Sequence, residues 1–490
     1  MDRFNVYQIL KKGIASVKSE NLKHRLNILI TPLYLYAINC IEGKTENRFS
    51  QLSFLQQFKV FPSKLKLKVV QYRLNKFKQI VFSGQNAIFR QADILFYPVE
   101  PTHIKQMLPV SNFLKKSGYL YVTDRVLIYK TLLKEGIDCV LLNIDKYNQV
   151  DTDLNENDID RELKLITSKL FDESGSEEWI IFAKNQINIR YPILHTFISE
   201  LLQKTTPKKV VVGYDITPEG RMMSILCKER NIPSVCIQHG SIAGEPMDGE
   251  HIVDHYLLYG QKAKDYLLEI GNNPASLEVF GAPYLDEISF TFDERELFLK
   301  KLGLDIKKKT ILIALSGPGH CTTFIHFDQI VSSIVKFAKS HPDFNYVFKL
   351  HRKDKKANYT KILKKWQVSI PVIEATDRNI TSEIFAWLGS VDILITGSST
   401  VALEAMLLKV PVLTIDYLNE YKGIDFIDDK CTYHVTDEGN LESIIFFIMR
   451  EKQNNDQSIT YSNAQNYINQ YFYSDDTSAS ERISTWLIGR

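Results

Sequence analysis

The stretch at residues 391–416, VDILITGSSTVALEAMLLKVPVLTID, decides how the second half of the chain folds. Its first six residues are an apolar run typical of a strand buried on both faces of a parallel sheet. Gly397 then permits a tight turn, and the hydroxyls of Ser398, Ser399 and Thr400 suit the start of a helix. PVLTID is a second apolar run. The sequence therefore predicts a strand, a Gly-Ser-Ser-Thr turn, a helix and a second strand.

This predicted turn is a candidate phosphate site. It would place backbone N–H groups and the positive end of a helix dipole at the carboxyl edge of a sheet, where phosphates bind. Glu404 lies one helical turn after Thr400, on the same helix face, where it could reach ribose hydroxyls. The alternative is an ordinary capped helix with a surface glutamate.

Length and composition indicate a multidomain globular protein. A chain of 490 residues predicts two or three domains, and 44% hydrophobic and 24% charged residues are ordinary values. The six cysteines form no CxxC pair and no metal-ligand spacing, which favours a reducing compartment. The first residues lack the apolar core of a signal peptide, and the longest apolar stretch, residues 26–41, is too short to span a bilayer. We therefore expect a cytoplasmic protein.

Positive charge is concentrated near the start of the chain. Residues 1–80 contain 15 Lys and Arg against 4 Asp and Glu, although the whole chain carries only +2. Within them, FPSKLKLKVVQYRLNKFKQI alternates basic and apolar residues, so it could contact the inner membrane surface or an anionic acceptor. The alternative is a solvated basic face. No nucleic-acid recognition motif accompanies the charge, so nucleic acid is not an expected partner.

Alternating strand-length and helix-length patterns predict two α/β domains. We expect a basic N-terminal region at 1–90 that packs on or precedes the first domain. A first Rossmann-like domain follows at 91–290, with a helical insert near 150–205, and a second at 305–465. The segment 466–490 predicts a C-terminal helix that could cross back to the first domain.

Polar groups follow the predicted strands of both domains, at the edge where open α/β sheets bind ligands. In the first domain His103 opens a helix, Asp215 and Glu219 follow one strand, and His239 follows another. In the second, three strand ends offer groups that bind anions, and we expect them to converge on a nucleotide diphosphate. Besides the turn quoted above, these groups are Ser316, Gly317, Gly319, His351 and Arg352.

Three parts of the sequence carry a family resemblance: IPSVCIQHG with VFGAP downstream, KLH after a strand, and DILITGSSTVALEAMLLKVPVL. Through these motifs the chain resembles the GT-B glycosyltransferases that build bacterial surface polysaccharides. It is nearest to capsule Kdo-transferase-type proteins and CDP-glycerol glycerophosphotransferases, and nucleotide-sugar 2-epimerases share the architecture. Arg352 departs from the family, which often has proline there.

The resemblance implies two Rossmann-like domains facing across a cleft, and roles for individual residues. His351, Ser398, Ser399, Thr400 and Glu404 would hold the donor nucleotide. His239 would lie across the cleft, near the donor phosphate or the acceptor.

The implied reaction is the transfer of a sugar from a nucleotide-sugar donor to a surface glycan or lipid-linked acceptor. An inverting enzyme needs a base for the acceptor hydroxyl. Asp215 is the first candidate, with His239 and Glu219 behind it. A turn or N-cap role for Asp215 and a buried structural role for His239 are the alternatives. We expect no metal and no cofactor.

Two other functions are compatible with the same sequence. One is a different enzyme on this architecture, either a CDP-polyol phosphotransferase or a nucleotide-sugar 2-epimerase. The other is a non-catalytic scaffold in polysaccharide assembly, for which the anion-binding strand ends would have no use.

Overall fold

The computed structural model divides the chain into two compact units. Unit 1 consists of Met1–Pro283 and Asp475–Arg490, and unit 2 of Tyr284–Ser474. The residues described are 3–41, 90–115, 118–142, 154–171, 173–240, 242, 247–286, 292–318, 322–351, 354–374, 382–421, 424–454 and 458–489.

Unit 1 is built on a seven-stranded sheet in the order β3-β2-β1-β4-β5-β6-β7, and every neighbouring pair is parallel. Its strands are β1 (Ile94–Tyr97), β2 (Tyr119–Thr123), β3 (Cys139–Leu141), β4 (Lys209–Val212), β5 (Ser234–Ile237), β6 (His255–Leu258) and β7 (Leu277–Val279). Its helices are α1 (Arg3–Ala15), α2 (Glu20–Ile28), α3 (Ile30–Ile41), α4 (Pro101–Asn112), α5 (Val126–Lys134), α6 (Glu156–Thr167), α7 (Glu173–Asn185), α8 (Tyr191–Thr205), α9 (Pro218–Glu229), α10 (Gln261–Glu269) and α19 (Ala479–Leu487).

Helices cover both faces of this sheet because successive strand residues point to opposite sides. Leu95 and Tyr97 of β1 join the core formed with α1–α3 and α6–α9. Ile94 and Phe96 join the opposite core, which includes residues of α4, α5 and α19. The basic N-terminal region therefore contributes three helices to the core of unit 1, whereas residues 61–80, the proposed membrane or acceptor segment, lie outside the described residues.

Unit 2 repeats the same architecture. Its six-stranded parallel sheet has the order β10-β9-β8-β11-β12-β13. The strands are β8 (Thr310–Ile313), β9 (Asn345–Lys349), β10 (Val372–Ile373), β11 (Ile393–Thr396), β12 (Val412–Ile415) and β13 (Tyr433–Val435). The helices are α11 (Phe292–Lys301), α12 (Phe324–Ser340), α13 (Lys356–Trp366), α14 (Ser382–Gly389), α15 (Val401–Leu407), α16 (Asp425–Asp428), α17 (Leu441–Asn454) and α18 (Ile459–Tyr471).

Both sheets are doubly wound, and each has a point where the strand order reverses. In unit 1 this switch point lies between β1 and β4, and in unit 2 between β8 and β11. Open α/β sheets bind ligands at the carboxyl ends of the strands on either side of such a point. The prediction of two Rossmann-like units with an N-terminal extension and a helical insert is confirmed.

The unit boundaries differ in detail from the predicted ones. The boundary between the units lies between Pro283 and Tyr284, slightly before the charged segment where we expected it. Within the predicted C-terminal segment 466–490, the chain returns to unit 1 at Asp475, and α19 packs there against α4. In the part of the chain that the structure describes, no helix combines the length and apolarity needed to cross a membrane.

Candidate functional site

Three of the predicted ligand-binding segments follow adjacent strands of unit 2. Ser316 and Gly317 follow β8, His351 follows β9, and the turn at residues 397–400 follows β11. Because β9, β8 and β11 are neighbours in a parallel sheet, these segments meet at one edge, beside the switch point. Gly319 and Arg352, also predicted to bind the donor, lie outside the described residues.

Position 317 requires a glycine, both because of its backbone conformation and because a side chain there would collide with Asp354. The φ of +76° at Gly317 is unfavourable for residues with a side chain, and an added Cβ would lie 2.5 Å from Cγ of Asp354. Asp354 follows β9, and its backbone N–H donates to the carbonyl of His351 at 2.9 Å. The loops after β8 and β9 therefore pack closely, as a backbone-lined anion site requires.

Gly397 has a similar role on the other side of the switch point. An added Cβ would lie 2.6 Å from the hydroxyl of Tyr421, which shares a 2.7 Å hydrogen bond with Thr322 Oγ1. Tyr421 comes from the loop after β12 and is almost fully buried. The turn after β11 thus has room for backbone only.

The helix after this turn is shorter than predicted. It spans Val401–Leu407, and its N-cap Thr400 makes no capping bond through its side chain. Ser399 Oγ accepts a long bond of 3.4 Å from Val401 N–H, and Ser398 Oγ is buried without a partner among the described residues. The predicted hydroxyl cap is therefore weak, which leaves the Ser398 hydroxyl uncommitted. Glu404 is half-buried on this helix.

A buried network that sequence reasoning missed holds the loop after β12. His326 Nε2 accepts a hydrogen bond from the Tyr417 N–H at 3.0 Å, so its proton lies on Nδ1, which contacts Glu420 Oε2 at 2.9 Å. Asp416 accepts from the N–H groups of Glu420 and Tyr421, both at 2.8 Å. The network positions Tyr421 against Gly397. Its only sequence signal was an aspartate directly after a buried strand.

Asp215 in unit 1 is a structural anchor. Its carboxylate is fully buried, with Oδ1 2.6 Å from His251 Nδ1 and Oδ2 accepting from the N–H groups of Ile252 and Val253 at 2.6 and 3.1 Å. Burial alone would raise the pKa of Asp215, but His251 and these hydrogen bonds hold the pKa below its usual value. Both oxygens are occupied, so this geometry disfavours the predicted role of Asp215 as a base.

Glu219 is also committed to protein contacts. Its Oε1 accepts from Arg125 Nη2 at 3.0 Å and from Arg190 Nη2 at 2.7 Å. Arg190 is supplied by a π-helical turn, Gln186–Arg190. Burial would raise the pKa of Glu219, but Arg190 and then Arg125 lower it to about 2. A carboxylate with such a low pKa is a poor proton acceptor at neutral pH, so this geometry disfavours a role for Glu219 as a base as well.

His239 differs from the two carboxylates, because one of its ring nitrogens has no hydrogen-bond partner among the described residues. It follows β5 in a turn fixed by Gln238, which accepts from Tyr259 N–H and donates to the Gly240 carbonyl, both at 2.8 Å. Its Nδ1 is buried without a partner among the described residues, and the residue as a whole is partly exposed. Burial, followed by the proximity of His251, lowers the pKa of His239 to about 4, so the imidazole is neutral at pH 7. A neutral imidazole can accept a proton or a hydrogen bond.

The described residues contain no group of three or more His, Cys, Asp or Glu side chains arranged to hold a metal ion.

Comparison with known proteins supports the fold and gives a sequence match that includes all of unit 2. Residues 247–483 match the family model of UDP-N-acetylglucosamine 2-epimerase. No curated protein matches the chain significantly.

Several solved structures have the same architecture. The UDP-GlcNAc 2-epimerase of Neisseria meningitidis bound to UDP-GlcNAc is 18% identical, covers 81% of this chain and 99% of its own, and superposes with a TM-score of 0.55. A putative UDP-N-acetylglucosamine 2-epimerase from Listeria monocytogenes gives 17% identity, coverages of 80% and 95%, and a TM-score of 0.52. The Anabaena protein Alr3699/HepE in complex with UDP and glucose is 11% identical. The match covers 82% of this chain and 100% of the Anabaena chain, with a TM-score of 0.50.

These comparisons do not support the finer resemblance to capsule Kdo transferases or CDP-glycerol glycerophosphotransferases. At such low identities the structural likeness concerns the fold. The chain therefore has a GT-B-like fold of two Rossmann-like units, and its residues 247–483 are similar in sequence to the UDP-N-acetylglucosamine 2-epimerase family.

Proposed function

We propose that the protein is a nucleotide-sugar enzyme, and specifically a glycosyltransferase that moves a sugar from a UDP-sugar to a surface glycan or lipid-linked acceptor. The observation that carries the proposal is the edge of unit 2. There Gly317, Gly397 and the uncommitted hydroxyl of Ser398 lie beside the switch point of a doubly wound sheet. The choice of UDP is supported by the family match over this unit and by the UDP ligands of the similar structures.

In this proposal, unit 2 stabilises the leaving diphosphate. Charge grows on the leaving group as the bond to the sugar breaks, and preorganised N–H and O–H groups stabilise it without reorganisation. His351 and Arg352 are proposed to add donors at the same edge. No metal is assigned to this step.

His239 is the proposed proton acceptor in unit 1. Both carboxylate oxygens of Asp215 are occupied and the pKa of Glu219 is low, whereas the imidazole of His239 is neutral and the residue is only partly buried. Deprotonation of an acceptor hydroxyl by a positioned side chain typically contributes about 10²–10⁴ in rate.

The test of donor binding is a thermal-shift series with UDP, GDP, CDP, CMP and ADP. A ligand that binds only the folded protein at 100 times its Kd stabilises it by about 2.7 kcal/mol. UDP should raise the Tm of the wild type, and His351→Ala should lose the response. His341→Ala is the matched control, because His341 lies before the amino end of β9, on the opposite edge of the same sheet. No shift with any nucleotide would refute the proposal and favour a scaffold.

A UDP-sugar 2-epimerase is the second candidate, favoured by the family match itself. That match begins at residue 247, after His103, Asp215, Glu219 and His239, so it does not include these four side chains. Inversion at C2 must break a C–H bond. Incubation with UDP-GlcNAc in D2O therefore separates the two reactions. Without an acceptor, an epimerase would form the 2-epimer with deuterium at C2, whereas a transferase would pass the sugar to water and give UDP and GlcNAc that keeps its hydrogen at C2.

We place the acceptor of this proposed reaction at an anionic membrane surface. The support is the charge of residues 1–80, which contain 15 basic and 4 acidic residues. Co-sedimentation with phosphatidylglycerol vesicles should exceed that with phosphatidylcholine vesicles. Replacement of Lys64, Lys66 and Lys68 by glutamine should abolish the difference. Equal binding to both vesicle types would contradict the proposal.

A further inference from the structure

His103 is anchored by its backbone neighbours at the start of α4. Its Nδ1 accepts hydrogen bonds from the N–H groups of Val99 and Glu100, both at 3.2 Å. An imidazole nitrogen that accepts two N–H bonds carries no proton, so the proton of the neutral ring lies on Nε2. The tautomer and the ring orientation of His103 are therefore both fixed.

The end of β4 is shaped to receive this ring. A Cβ added at Gly213 would lie only 2.0 Å from His103 Nδ1, so the ring packs directly on the backbone of the strand next to β1. His103 is 1% exposed, and its Nε2 is buried without a partner among the described residues. A buried polar group without a hydrogen-bond partner costs folding free energy, so it calls for an explanation.

The ring of His103 packs against that of His239. The rings of His103 and His239 meet edge to face, with centroids 4.5 Å apart and an interplanar angle of 74°. Tyr214 packs on His239 with the same separation and a similar angle of 72°. His251 and Asp215 are the nearby charged or titratable groups that act on His239. The imidazole is thus held by two rings, and its Nδ1 is buried.

We propose that His103 is a positioning residue, which holds the ring of His239 so that Nε2 faces the acceptor and water is kept from Nδ1. The proposal rests on the assignment of His239 in the proposed function. Its physical basis is that a group held by packing on an immobile neighbour needs no reorganisation when the substrate binds. Removal of the His103 ring would let water reach His239 Nδ1 and let the ring rotate.

The test is an NMR titration of the full-length protein with isotope-labelled histidines, which requires no substrate. In the wild type His239 should not titrate above pH 5. In His103→Asn the amide oxygen can keep the bonds to Val99 and Glu100, but the ring is lost. The His239 midpoint should then rise toward the ordinary value of about 6.5. His103→Gln, which can restore an N–H near the position of Nε2, should keep the midpoint below 5.5.

A glycine pair provides an independent test that leaves His103 unchanged. Gly213→Ala should displace the His103 ring and raise the His239 midpoint. Gly240→Ala is the control, because its added Cβ meets nothing within 4 Å although it adjoins His239. A His239 midpoint that stays below pH 5 in both folded His103→Asn and Gly213→Ala would overturn the proposal.

A functional measurement separates this inference from the proposed function. UDP should raise the Tm of the wild type and of His103→Asn equally. With UDP-GlcNAc as the probe and water as the acceptor, the variant should hydrolyse the donor to UDP and GlcNAc with a kcat at least about tenfold lower and a KM within about twofold. If UDP shifts neither protein, the proposed function fails and the NMR result still decides the role of His103. If UDP shifts both and kcat is unchanged, the positioning role fails alone.

Discussion

Replacement of Glu219 by glutamine tests whether this carboxylate is structural. Glu219 is 5% exposed, and both Arg125 and Arg190 donate to its Oε1. Loss of the charge leaves two partly buried guanidinium groups around a neutral amide. The depression of the pKa from 4.5 to about 2 measures what the charged form gains in the fold, about 3 kcal/mol at about 1.4 kcal/mol for each pKa unit.

The sign of the pH dependence follows from the depressed pKa. The stabilisation by Glu219 is fully present above the unfolded pKa near 4.5, and it is lost as the pH falls toward the folded pKa near 2. Linkage leaves roughly 1 kcal/mol of this stabilisation at pH 3. The difference in unfolding free energy between wild type and Glu219→Gln should therefore narrow by about 2 kcal/mol between pH 7 and pH 3.

The assay is urea unfolding followed by tryptophan fluorescence in a background where Trp366 and Trp387 are phenylalanine. Trp179 and Trp486, the remaining tryptophans, then report on unit 1. Glu200→Gln is the control, since Glu200 pairs with Lys204 on the surface of α8. This substitution should lower the free energy of unfolding by less than about 1 kcal/mol. A Glu219→Gln loss below about 1 kcal/mol at pH 7, or a difference that does not narrow toward pH 3, would refute this reasoning.

Three further predictions concern the other anchors. Gly397→Ala should weaken UDP binding at least about tenfold by calorimetry, because the new Cβ displaces Tyr421; equal binding would place the nucleotide elsewhere. Asp215→Asn should destabilise unit 1 by about 2–4 kcal/mol in urea, through loss of the charge beside His251; a loss within about 0.5 kcal/mol would contradict the anchoring role. Arg482→Ala should speed proteolytic removal of α19, because Arg482 donates to the Phe280 carbonyl; unchanged cleavage would show that this hydrogen bond is not needed to hold the helix.

The fold was predictable because its signals are local. Buried parallel strands are short apolar runs, and each is followed by a helix with its own spacing. Gly397 was informative for the same reason, since a glycine after such a run marks a tight turn. The helices of residues 3–41 were not predicted, because they are defined by packing on the insert. For example, Trp179 Nε1 donates to the Leu33 carbonyl at 3.0 Å, across 146 positions.

The candidate site was harder to predict, because partners distant in sequence decide what each side chain can do. Asp215 resembled a base at a strand end, but His251 and Ile252, 36 and 37 positions later, occupy its oxygens. Glu219 meets Arg125 from 94 positions earlier. The sequence indicated which side chains follow strands, but only three-dimensional contacts distinguish the anchored carboxylates from the neutral imidazole of His239.

The return of the chain to unit 1 has a consequence for synthesis on the ribosome. Ile483 and Leu487 of α19 belong to a core of unit 1, and the Lys209 ammonium binds the carbonyl oxygens of Trp486 and Leu487 at 3.0 and 2.8 Å. Residues 284–474 must be made between the two parts of this core. At 5–20 residues per second, that interval lasts roughly 10 to 40 s. Throughout it, an apolar face of the nascent unit 1 lacks its covering helix, so this stage of translation is where chaperone binding and aggregation should concentrate.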